Sequence, residues 1–125
     1  MDKILLVGHT DWFGTLVETA SHLIPDLYVT SNFEEVNARV KLGEIERICM
    51  ILSVRNPETS ASKAAKMLHE INPGIQIMIW NDYEVDAPVR LGNQLYLDCM
   101  MYKTWTFYQI MIEFFKGAFP PPSSI

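Results

Sequence analysis

The chain reads as an α/β protein in which a parallel sheet carries helices on both faces. Two features lead there. Short runs rich in Ile, Leu and Val alternate with stretches of helical spacing, and five such runs are separated by helices. A strand that returns to a parallel neighbour does so through a right-handed crossover, which lays helices on the sheet and turns both strand surfaces apolar. Lys3 to Val7 is the first predicted strand. Asp11 caps a helix in which Phe13, Leu16, Val17, Ala20, Leu23 and Ile24 recur at helical spacing until Pro25-Asp26 ends it. Leu27 to Thr30 is the second strand, and Ser31 or Asn32 caps a helix marked by Phe33, Val36, Ala38, Val40 and Leu42 that stops near Gly43. Ile48 to Leu52 is the third strand; Ala61 to Ile71 is helical, with Asn72-Pro73-Gly74 as its stop. Ile75 to Trp80 forms the fourth strand, Ala87 to Asn93 a short helix, Leu95 to Met101 the fifth strand, and Thr104 to Lys116 the last helix.

Composition narrows the function classes. With 125 residues the chain encloses one core, so a single domain is expected over residues 1–118, followed by a proline-rich tail or linker at 119–125. A formal charge of −5 has the wrong sign for neutralising nucleic-acid phosphates. No apolar run approaches the roughly 20 residues that span a bilayer. The start Met1-Asp2-Lys3-Ile4 lacks the apolar region and cleavage site of a signal peptide, so the expected compartment is the cytoplasm. Cys49 and Cys99 are expected as core thiols rather than as a disulfide or metal framework. The histidines His9, His22 and His69 are isolated and suggest no metal spacing. Gly8 to Gly14 lacks both the glycine spacing of dinucleotide folds and the lysine of a phosphate loop.

In doubly wound sheets ligands gather at the carboxyl ends of the strands. Here those ends carry Gly8-His9-Thr10, Ser53, Asn81-Asp82 and Lys103. The run Arg47 to Leu52 into Ser53-Val54-Arg55-Asn56-Pro57, with Lys103 followed by Thr104 and the aromatic Trp105, resembles a response-regulator receiver domain over roughly residues 3 to 117. The resemblance implies a flavodoxin-like, doubly wound sheet of five parallel strands in the order 2-1-3-4-5. It also implies a degenerate phosphorylation site. Ser53 stands where receivers have the acceptor aspartate, Gly8 and His9 replace the acidic pair, Asn81 takes the place of a Thr or Ser, and Lys103 is kept.

Those substitutions remove the family's chemistry. Magnesium wants hard oxygen ligands in octahedral geometry, glycine offers none, and imidazole suits softer metals. A neutral serine is a poor nucleophile without an oriented base, and no carboxylate is evident to orient His9. The expectation is a non-enzymatic pseudo-receiver with no catalytic residue, metal or cofactor, serving protein interaction in signal transduction without aspartyl phosphorylation. The alternative is a small-molecule or anion sensor gripping an oxyanion with Ser53, Asn81 and Lys103.

The last helix suggests where a protein partner binds. Phe107, Ile110, Met111 and Phe114 form one stripe that can dock on the sheet. Trp105, Tyr108, Ile112 and Phe115 form a second row, which is expected in solvent as the anchor of a homodimer or heteromeric contact. In receivers this helix belongs to the common output face.

Overall fold

A computed structural model of the chain describes residues 3–7, 14–52, 61–81, 89–91, 94–98 and 104–117. In chain order the elements are β1 (Lys3–Val7), α1 (Gly14–Leu23), β2 (Tyr28–Thr30), α2 (Phe33–Lys41), β3 (Arg47–Leu52), α3 (Ala61–Ile71), β4 (Gln76–Asn81), β5 (Val89–Leu91), β6 (Gln94–Asp98) and α4 (Thr104–Phe115). The protein is α/β with a largely parallel sheet, ordered β2-β1-β3-β4-β6-β5. Parallel registers join β1 to β2 and β3, β3 to β4, and β4 to β6.

Among the described residues the sheet has six strands where five were expected. Within the span Ala87 to Asn93, where a short helix was predicted, the described residues Val89–Leu91 are instead strand β5, antiparallel to β6 and pairing Leu91 with Gln94. Its residues explain the outcome. Val89 and Leu91 alternate about Arg90, a period of two, and Gly92-Asn93 is the kind of dipeptide that separates the arms of a tight hairpin. β6 begins one residue before the predicted Leu95, and Cys99, Met100 and Met101 lie outside the described residues.

Alternation along the central strands builds two cores. Leu5, Cys49, Ile51, Met78 and Trp80 face α1 and α4, where they meet Ala20, Ile24, Phe107, Met111 and Phe114. Ile4, Leu6, Ile48, Met50, Ile77 and Ile79 face α2 and α3, where they meet Val36, Val40, Ala65 and Leu68. The run from Ile48 to Ile51 is wholly buried because β3 is covered on both sides. Cys49 is one of these core thiols.

Local signals hold the helix ends. The Asn32 side chain accepts from the Glu35 amide at 3.3 Å, satisfying one of the orphan donors of α2. After α2, Gly43 takes a left-handed φ of +75°, which glycine adopts without steric cost. The imidazole of His69 near the end of α3 lies 2.9 Å from the Ile75 carbonyl, tying that helix to the approach to β4.

Candidate functional site

β1 and β3, adjacent in the sheet, form its topological switch point. From β1 the chain passes to α1 on one face of the sheet; from β3 it passes to α3 on the other. Connections that diverge to opposite faces from adjacent strands meet the topological condition for a ligand site at the carboxyl ends of those strands. Val7 and Leu52 end β1 and β3, and Leu52 is in register with Asn81 at the end of β4.

Gly8, His9, Ser53 and Lys103 lie outside the described residues, as do Thr10, Asp11 and Asp82. Gly8 follows Val7 directly, Ser53 follows Leu52, and Lys103 precedes Thr104, the first residue of α4. Asn81 is described as the last residue of β4. Its register partner on β6 is Asp98, an acidic residue that the sequence reading had not singled out. The signal was available in the break of the Leu95-Tyr96-Leu97 run by an aspartate, a residue depleted from strands.

Burial corrects the expected interaction row on α4. Trp105 is 67% exposed, but Tyr108 and Phe115 are only 5% and 8% exposed, and Ile112 is half-buried against the same core. The cause is a second neighbour. α4 packs on the sheet and also beside α1, so Phe107, Tyr108, Met111, Phe114 and Phe115 form one wide apolar arc at i, i+1, i+4, i+7 and i+8. Ring contacts fix the arc: Phe107 lies 4.5 Å from Trp80 and 5.3 Å from Tyr108, and Phe114 lies 5.3 Å from Phe115. Of the four proposed anchors, Trp105 alone is open to solvent.

A separate polar cluster ties edge strand β2 to α2. The Tyr28 hydroxyl donates to Glu35 Oε1, Thr30 Oγ1 donates to Glu35 Oε2 at 3.3 Å, and Arg39 Nη2 donates to Glu35 Oε1 at 3.3 Å. The Arg39 guanidinium also lies 4.8 Å from the centre of the Tyr28 ring. The Tyr28 hydrogen bond holds the Glu35 carboxyl below its ordinary range; burial opposes this, and Arg39 and Thr30 add to it. The same bond, with burial and the Glu35 charge, pushes the Tyr28 hydroxyl up against the opposing effect of Arg39.

The signs give a two-sided pH dependence. Because the folded state lowers Glu35, its contribution is present above the unfolded carboxylate range and is lost as pH falls through the depressed value. Because the folded state raises Tyr28, its contribution is complete below the ordinary tyrosine range and is lost as pH rises through the raised value. In Glu35→Gln, a melting-temperature profile should be flatter than wild type on the acid side. An unchanged acid limb would remove Glu35 from the account.

No group of three or more His, Cys, Asp or Glu is placed to hold a metal among the described residues. No described helix is long and apolar enough to cross a membrane. Comparison of the chain with protein-family models, with curated proteins and with solved structures found no match.

Proposed function

We propose that the protein is a pseudo-receiver: a flavodoxin-like domain that serves protein interaction in signal transduction without phosphoryl chemistry. The observation that carries this reading is the strand path. Setting β5 aside as an added edge, β2-β1-β3-β4-β6 follows the receiver order 2-1-3-4-5, with the switch point between β1, which Gly8-His9 follow in sequence, and β3, which Ser53 follows. A serine there cannot form an acyl phosphate, and Gly8-His9 supplies no carboxylate for magnesium. The protein acts through its surface and is not an enzyme.

The partner surface differs from that of an ordinary receiver. Strand β5 lies within the span where a short helix was expected, and it adds an antiparallel edge to the sheet beside β6. Trp105, at the start of α4, is the aromatic anchor that this surface keeps.

Beryllium fluoride with magnesium, the phosphoryl mimic of receivers, provides the test. The amide spectrum of the protein should not change on its addition. Shifts spreading from the amides of Val7 and Leu52 would mean that these strand ends still bind a phosphoryl-like group, and would favour the anion sensor.

A further inference from the structure

We infer that the amino edge of the sheet, at the opposite end from the strand end that Ser53 follows, holds a binding site for a small neutral α-amino acid, its carboxylate set between Lys3 and Arg47 and its ammonium towards Glu44. A cavity of about 270 Å³ opens there, lined by Lys3, Gly43, Glu44, Glu46, Arg47 and Phe115. Register explains how the cations meet. Lys3 on β1 pairs with Arg47 on β3, and Arg47 with Gln76 on β4, so the three stand side by side on the face shared by Leu5, Cys49 and Met78.

Two like charges directly opposite one another on neighbouring strands are destabilising. The chain compensates them incompletely. Lys3 Nζ donates to a neutral acceptor, the Pro25 carbonyl, at 3.2 Å, and Arg47 Nε donates to the neutral amide oxygen of Gln76 at 3.1 Å. Glu46 approaches Arg47 Nη1 only to 4.0 Å, with its own side chain 84% exposed, a separation too long for a directed hydrogen bond. Gly117, at a φ of +108°, lies beside the guanidinium, where an added Cβ would stand in ordinary contact 3.4 Å from Arg47 Nη2.

The carboxylates of the rim define the ligand further. Glu44 has no hydrogen-bond or ion-pair partner among the described residues, and it follows the left-handed turn at Gly43. Two cations and two carboxylates around one small cavity disfavour a dianion such as phosphate, which Glu44 and Glu46 would repel. They favour a molecule carrying one charge of each sign. The volume falls below the roughly 300 Å³ at which pockets for drug-sized ligands begin, which fits a single amino acid.

The experiment titrates glycine, alanine and glutamine into the intact chain at low ionic strength, beside acetate and methylammonium, and follows the amides of Gly43, Glu44, Arg47 and Gly117. At least one amino acid should saturate these shifts with a Kd on the order of 1 mM or tighter, at least about tenfold below either half-molecule. Lys3→Gln and Arg47→Gln should each weaken it by about tenfold or more, and Glu44→Gln should narrow the gap to acetate. Lys3→Gln alone suffices if Arg47→Gln fails to fold, since Lys3 lies at the start of an otherwise apolar strand. Acetate binding as tightly as every amino acid, no saturable shift from any amino acid, or affinity unchanged in Lys3→Gln would each overturn the inference.

Discussion

Phe114→Ala should cost about 3–5 kcal/mol, the loss typical of a buried aromatic whose surroundings collapse only in part. Phe114 is completely buried where α4 meets α1 and the sheet, in one cluster with Leu5, Ile24, Cys49 and Met78. Domains of this kind are stable by about 5–15 kcal/mol, so a single truncation here removes a large share of the margin. Urea denaturation should show a lower midpoint with an unchanged slope. A loss below about 1 kcal/mol would mean that α4 does not pack as described.

The second large effect separates core from surface on the same helix. Tyr108→Glu/Phe115→Glu should abolish folding, because both side chains are buried and each substitution would place a carboxylate in an apolar cluster at a cost of several kcal/mol. Trp105→Ala, at a position 67% exposed, should leave stability within about 0.5 kcal/mol of wild type. The two variants also divide the interaction claim. Loss of self-association or partner binding in Trp105→Ala, read by light scattering at unchanged melting temperature, supports a contact centred on that indole. A folded double-glutamate variant would contradict the burial of the second row.

Much of this architecture was legible in the residues, and the parts that were not share one physical cause. Runs such as Ile48 to Ile51 announce a strand covered on both faces, and Asn32 before Phe33 announces a helix start, because each signal is local. The width of the apolar arc on α4 was legible, but its meaning was not. Whether Tyr108 and Phe115 face water depends on α1 lying alongside, which only the tertiary arrangement decides. Strand β5 was misread although its alternation and the Gly92-Asn93 dipeptide were in view, since a three-residue strand carries little periodicity.

The polar sites followed the same division. The i, i+4 spacing of Glu35 and Arg39 could be seen in the sequence, whereas the Tyr28 hydroxyl reaches Glu35 only because β2 and α2 pack together. Lys3 and Arg47 stand 44 positions apart in the chain and meet through sheet register alone. At the carboxyl edge, strand ends were predicted within a residue for β1, β3 and β4, and Gly8 and Ser53 follow β1 and β3 directly in sequence. Asp98 emerged only from its register with Asn81 on β4.

Intact mass after treatment with acetyl phosphate and magnesium, taken on three forms of the protein, tests the pseudo-receiver reading most directly. Wild type should gain no phosphoryl group, and Ser53→Asp should gain none either, because Gly8 and His9 still leave magnesium without carboxylates. Gly8→Asp/His9→Asp/Ser53→Asp should acquire one phosphoryl group, since the acceptor and the acidic pair would then occupy the ends of adjacent strands β3 and β1. A stable phosphoryl addition to wild-type Ser53, or a folded triple variant that stays unmodified, would contradict it.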